Sequence, residues 1–351
     1  MLFAKKNQLV GLDIGSRTIK AAEINGLSKG GSLKNFGTID IPPGLIEDGS
    51  IKEPERVAEA IRELFTTHKI KEQNVATSIG GYSVIVKKIE VQAISEEQLQ
   101  ETIHLEAEQY IPYDINDVNL DFHIIGENEN NSSLTSVLLT AAKREMVDDY
   151  VGLIEMAGLA PCIVDVDAFA LQNIFEFTHG AGEENVALID IGASKTSLNI
   201  LKGNQSLFMR DVSLGCAQIN QKIASLADCS AEEAEQIKLT AKSETMSADQ
   251  IGEIVSTIVA DWCKEIRRAL DFFYSTYPDD QIKRIVLSGG GANIKEFREL
   301  LGVETSAEVE VINPFGPFKT DSGRLDPAYL SQVAPQAAIC MGLATRRIDD
   351  K

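Results

Sequence analysis

Cysteine is sparse in this chain, and the cysteines that occur are scattered. Cys162, Cys216, Cys229, Cys263 and Cys340 form no C-x-x-C pair, so the expectation is reduced, mostly buried thiols in a reducing compartment. No run of about eighteen apolar residues occurs, which excludes a membrane-spanning helix. The start, Met1-Leu2-Phe3-Ala4-Lys5-Lys6, lacks the apolar stretch and cleavage site of a secretory leader, so a cytoplasmic protein is expected. Basic residues are in deficit: 33 Lys and Arg stand against 53 Asp and Glu, a formal charge of -20. With no excess cation to displace counterions, nucleic acid is not an expected partner. Walker A, the dinucleotide glycine fingerprint, H-E-x-x-H and the protein-kinase signatures are all missing.

What is present is an ordinary globular composition, 44% apolar, in 351 residues. That length suits two domains better than one core. The acidic balance fits solubility, or protein partners that offer basic segments.

The most informative feature is a repeat. Residues 9–24 and 186–201 each hold a β-branched run, an Asp-Ile-Gly turn (Asp13 to Gly15; Asp190 to Gly192) and a second alternating run. This is a hairpin pattern. Each copy precedes a third strand candidate, Ser32–Ile41 and Ser206–Val212, so the same meander occurs twice and a duplicated domain is expected. Helices follow: one opening at Pro54, one from Arg144 to a stop at Gly158, and a long one over 249–274 with an apolar stripe that includes Trp262. Residues 76–139 read as an inserted β-β-α-β module. Its parts are a hairpin over Thr77–Val91 around Gly80-Gly81, a helix capped by Ser95 and Gln98 and ended by Pro112, and a strand over Val118–Ile125. The polar stretch Gly126–Ser136 reads as a loop.

An Asp-Ile-Gly turn between strands suits a polyphosphate. Glycine lets backbone N–H groups approach the anion, and the hydroxyls of Ser16 and Thr18 add donors. An aspartate there would repel phosphate, so its fitting role is to hold a metal-bound water. One such turn could be no more than a tight polar hairpin; two facing copies could grip phosphates from both sides. Further on, strand Ile285–Ser288 runs into Gly289-Gly290-Gly291 and a helix near Ile294. Glycines there strip away side chains, so a flat ring can lie against backbone at a helix start.

The order phosphate turn, phosphate turn, strand and triple glycine resembles the actin, sugar-kinase and heat-shock-chaperone superfamily over nearly the whole chain. The inserted module carries Ser78-Ile-Gly-Gly-Tyr-Ser-Val-Ile-Val, Glu106-Ala-Glu-Gln-Tyr-Ile-Pro112-Tyr and Leu120-Asp-Phe, and with these the chain is similar to the PilM family of type IV pilus assembly proteins, relatives of the division protein FtsA. The resemblance implies an actin-like (ribonuclease H-like) duplicated two-domain α/β fold. In that fold residues 1–75, 140–185 and 333–351 make the first half, and 76–139 the module. Residues 186–215 and 280–332 make the second half, and 216–279 a helical subdomain beside the nucleotide.

The resemblance also implies the site. Asp13, Gly15, Ser16, Thr18 and Lys20 match the first phosphate motif; Asp190, Gly192, Ala193, Ser194 and Thr196 match the second. Gly289, Gly290, Gly291 and Asn293 match the adenosine motif, and relatives use a Glu-x-x-Lys pair, here Glu235 and Lys238, to hold ribose and adenine. ATP with Mg2+ is the implied ligand, Asp13 and Asp190 reaching the ion through water. Asp167 falls where actin-like ATPases carry a Gln or Glu that orients the attacking water. Being one methylene shorter, it implies slow or negligible hydrolysis; a helix-cap or hydrogen-bonding role fits the residue equally well. The implied partners are the short cytoplasmic N-terminal tail of PilN, docked in a groove beside a Glu106–Pro112 helix, and other proteins of the inner-membrane platform. The chain end, Met341 to Lys351, lacks the amphipathic helix of FtsA, so peripheral recruitment through PilN is expected rather than direct membrane insertion. An FtsA-type tether, an actin-like ATPase with real turnover and a homo-oligomer remain alternatives at this stage.

Overall fold

Apolar runs with no polar alternation form strands covered on both faces, and the sequence supplies two sets of them. In a computed structural model, residues 8–27, 30–92, 95–128, 131–180, 182–321 and 324–348 are described. The expectations placed on Met1 to Lys6 and on the last three residues lie outside them.

The chain opens with the meander β1 (Val10–Ile14), β2 (Thr18–Asn25) and β3 (Ser32–Asp40). A small hairpin follows, β4 (Ile46–Glu47) with β5 (Ser50–Ile51), and then helix α1 (Pro54–Thr67) and strand β6 (Asn74–Ile79). The module comes next: β7 (Val84–Gln92), α2 (Glu96–Ala107), β8 (Val118–Asn128) and β9 (Asn131–Lys143). The first half resumes with α3 (Arg144–Met156), β10 (Ala160–Val166) and α4 (Asp167–His179). A second meander, β11 (Asn185–Ile191), β12 (Thr196–Lys202) and β13 (Gln205–Val212), leads to helices α5 (Ala217–Ala227), α6 (Ala231–Thr240) and α7 (Ala248–Thr276). Strand β14 (Arg284–Ser288), α8 (Lys295–Thr305), β15 (Glu308–Val311), β16 (Lys319–Thr320), α9 (Pro327–Val333) and α10 (Ala338–Leu343) complete it.

The duplication is explicit in the sheets. One runs β10-β6-β1-β2-β3-β16, the other β15-β14-β11-β12-β13. In both, the first hairpin is antiparallel and its leading strand takes a parallel neighbour: β6 on β1, β14 on β11. Parallel pairing needs a long crossover, which α1 supplies in the first half and α5 to α7 in the second.

Helices α4 and α10 share a core with residues of both sheets, from Ala22 and Phe36 to Leu188 and Val286. All six residues of α10 are buried. Small residues let these layers close: a Cβ on Gly342 would lie 1.8 Å from the carbonyl oxygen of Ala170 in α4. A Cβ on Gly11 would lie 2.2 Å from that of Cys340. The long α7 buries Ile251, Ile254, Trp262, Ile266 and Phe273 against the second sheet, with the Trp262 ring edge-on to Phe297.

Four local expectations change. Residues 77–79, expected to open a module hairpin, instead end β6 of the main sheet, where five of six residues are buried and β1 and β10 flank them in parallel. The stretch 126–136 is not all loop, because β8 and β9 pair into it, and the module becomes β7-α2-β8-β9 with sheet order β7-β9-β8. Residues 319–320, assigned with the second half, add strand β16 to β3 of the first sheet. The Ser95–Gln98 capping box forms as expected, but α2 ends at Ala107, five residues before Pro112.

Candidate nucleotide cleft

Both Asp-Ile-Gly sequences sit at strand ends. Asp13 pairs with Lys20 in the β1–β2 register, and Asp190 with Ser197 in the β11–β12 register. The first turn needs glycine, since a Cβ on Gly15 would stand 2.8 Å from the Thr18 carbonyl oxygen; in the second a Cβ on Gly192 would stand 3.2 Å from that of Lys195, a tight fit. The second turn is braced from behind, the amides of Cys216 and Ala217 donating to the carbonyls of Gly192 and Ala193. The tips of the two turns meet, Ser16 and Ser194 sharing a hydrogen bond of 3.2 Å across 178 residues of sequence.

Behind the tips lie charged groups. Lys20 Nζ donates to Asp13 Oδ2 at 2.8 Å. Burial pulls the Lys20 ammonium down, but the Asp13 charge and hydrogen bond outweigh it and the group stays charged above its ordinary value. Asp190 accepts from Ser288 Oγ at 2.7 Å. Its pKa is nonetheless pushed up to about 6, chiefly by burial, with the charges of Asp13 and Asp167 adding to the effect. Among the described residues no three His, Cys, Asp or Glu groups gather as a direct metal cluster.

The third motif forms the floor. Gly289 has φ 81°, and a Cβ there would meet the Ile191 carbonyl oxygen at 2.3 Å, so both conformation and space demand glycine. Gly291 packs on Ile191 in the same way, its would-be Cβ 2.4 Å from Cγ2. Gly290 differs: its nearest neighbour would be Gln336 Nε2 at 3.6 Å, which is ordinary contact. Residues Gly290–Asn293 turn as a short 3₁₀ helix ahead of α8, with Asn293 exposed. On α6, opened by the Ser230–Glu233 capping box, Lys238 Nζ donates to Glu235 Oε2 at 2.8 Å and Asn220 donates to the same oxygen. Burial raises the Glu235 carboxyl, but these bonds and the Lys238 charge hold it below its ordinary value. Arg17, in the first turn, adds to that pull.

Two expected ligands point elsewhere. Thr18 donates to Asp40 Oδ1 at 3.1 Å on β3, and buried Thr196 donates to the Leu214 carbonyl at 2.9 Å. Their hydroxyls fasten strands. Asp167, the first residue of α4, takes Ser78 Oγ on Oδ1 at 2.6 Å and Lys195 Nζ on Oδ2 at 2.5 Å. Burial raises its carboxyl, but the Lys195 charge and the two donors bring it below the ordinary value. Sequence reading passed over Lys195, Ser288, Ser78 and Arg17. Lys195 and Ser288 had a signal, since each adjoins a motif residue; Ser78 and Arg17 gain meaning only from what they face.

Duplicated sheets, paired turns at their facing ends and a glycine floor define the actin-like ATPase fold. Solved structures agree: ethanolamine utilization protein EutJ from Carboxydothermus hydrogenoformans is similar with a TM-score of 0.59 at 14% identity, covering 96% of this chain and 88% of its own. MreB5 of Spiroplasma citri bound to ADP has a TM-score of 0.55 at 11% identity, covering 97% and 95%. The sequence profile described as Type IV pilus assembly protein PilM matches residues 11–348, and the chain belongs to that family. A chain of the PilM-PilN type IV pilus biogenesis complex is similar with a TM-score of 0.87 and 27% identity, over 98% of this chain and 99% of that one. Among the described residues no helix is long and apolar enough to cross a membrane.

Proposed function

We propose that this chain is an ATP-binding scaffold of the type IV pilus inner-membrane platform that binds the cytoplasmic N-terminal tail of PilN. The meeting of Ser16 and Ser194, two turns from opposite halves, carries the nucleotide reading. Phosphates would lie against these turns, the base over Gly290, and ribose and adenine against Glu235 and Lys238. Asp13 and Asp190 would hold Mg2+ through its waters, and the ion would screen phosphate charge from the carboxylates. Asp167 is engaged by Ser78 and Lys195, one donor on each oxygen, and is one methylene shorter than the residue that orients water in actin-like ATPases, which favours binding with little turnover.

The similarity to a chain of the PilM-PilN complex supports a PilN tail as partner, and through it a peripheral place at the inner membrane. A cavity of about 250 Å³ between the halves and the module, with Tyr82, Pro112 and Tyr113 in its wall, offers room near the expected groove. Other platform proteins and further copies of the chain are secondary candidate partners.

The test is calorimetric titration of a PilN N-terminal peptide, with and without Mg-ATP, beside a phosphate-release assay. Peptide binding with turnover well under about one per second is expected. A peptide that binds under neither condition refutes the scaffold; turnover at that rate or above makes the protein an ATPase instead.

A further inference from the structure

The module is joined to the first half through residues 80–83, between β6 and β7, and the second half takes hold of that joint. Lys195, in the β11–β12 turn, reaches Asp167 at the start of α4 and lies against Gly80: a Cβ on Gly80 would be 2.2 Å from Nζ and 2.6 Å from Asp167 Oδ2. Asp211 on β13 accepts the Gly81 amide on Oδ2 at 2.5 Å. Beyond it, Ser213 Oγ lies 3.4 Å from the Tyr82 hydroxyl, and Tyr113 of the module donates its hydroxyl to the Tyr82 carbonyl at 2.8 Å. The turn itself is closed by Val84 N–H on the Gly81 carbonyl, and tied to β9 by Lys143 N–H on that of Ser83. The contacts therefore run unbroken from the second phosphate turn, through the joint, to the module.

We propose that Lys195 and Asp211 are positioning residues by which the second half grips the root of the module, so that closure of the two halves sets the module's pose. The grip needs no nucleotide, and it stands or falls separately from the ligand reading. Both links are short and shielded. The Lys195 and Asp167 side chains are 29% and 14% exposed, so salt screens this pair less than a surface pair. Burial would lower the Lys195 ammonium, but Asp167 and then Asp211 hold it above its ordinary value, so it stays charged at neutral pH. Opening the cleft would pull Lys195 from Asp167 and Asp211 from Gly81 together, because both sit on the second sheet.

The test is amide hydrogen exchange of the full chain without nucleotide. Lys195→Met and Asp211→Ala are each expected to speed exchange in peptides covering residues 80–92 by about tenfold, leaving β11 and β14 at wild-type rates. Lys195→Arg, which keeps the charge and a donor, should behave as wild type. Lys195→Met leaves Asp167 buried without its cation and could unfold the chain. The double variant Lys195→Met with Asp167→Asn strands no charge, and it should fold with the same loosened root. Unchanged exchange at the root in Asp211→Ala and the double variant overturns the proposal. So does a rise spread evenly over the chain, which marks general loss of stability.

Discussion

Replacing Asp190 by Asn should make the unliganded protein more stable at neutral pH. Asp190 lies 9% exposed at the end of β11, with Asp13 and Asp167 close enough to act on its charge. Folding moves its pKa from 3.8 to about 6, so the ionised carboxylate costs the fold ~3 kcal/mol at about 1.4 kcal/mol per pH unit. The folded state holds this proton more tightly, so below about pH 4 both states are protonated and the cost vanishes. As pH rises through about 4 to 6 stability is lost, and above that the full cost remains. Asn at 190 can still accept the Ser288 hydroxyl and carries no charge. The measurement is denaturant unfolding of both proteins from about pH 4 to about pH 8. The variant's advantage should approach 3 kcal/mol at pH 7 and shrink toward zero at the acid end. Mg-nucleotide should then stabilise the wild type more than the variant, since the ion offsets the charge that the variant lacks. A variant no more stable than wild type at pH 7, or a difference that ignores pH, would refute the reasoning. Loss of stability for the sake of a charged site is a common trade at ligand sites.

The glycine floor gives a paired prediction. Gly289→Ala should destabilise by more than ~3 kcal/mol, from its positive φ and the clash with the Ile191 carbonyl, read as a fall in the unfolding midpoint. Gly290→Ala should fold as wild type, yet weaken nucleotide binding in calorimetry if a ring lies over it. Lys238→Met should weaken nucleotide binding about tenfold in calorimetry and also lower the unfolding midpoint, because its ion pair with Glu235, with side chains 15% and 27% exposed, is as shielded as that of Lys195 with Asp167. An unchanged affinity would reduce that pair to a helix brace.

Much of this protein was legible in its sequence because the signals were local. A strand, a glycine-containing turn and a second strand occupy sixteen contiguous residues, and the same pattern appears twice; the duplicated sheets follow from it. The Ser95 capping box was equally readable, since its partner lies three residues away. What failed was assignment of strands to sheets. Residues 77–79 looked like the start of a hairpin because Gly80-Gly81 follows them, but pairing is decided by which neighbour buries the strand, and β1 lies more than fifty residues earlier. Residues 126–136 looked like a loop because the polar ends of these strands lack an apolar stripe. Thr18 and Thr196 looked like phosphate ligands because hydroxyls stand at the right spacing, and only the packed structure showed them tied to Asp40 and Leu214. Spacing and turn chemistry determined the repeated meander and the three motifs, and the resemblance those motifs carry implied the fold class. The tertiary structure alone decided that Ser16 touches Ser194 and that Lys195 holds Asp167, because a contact between halves depends on how two sheets pack around α4 and α10, which no local string of residues encodes.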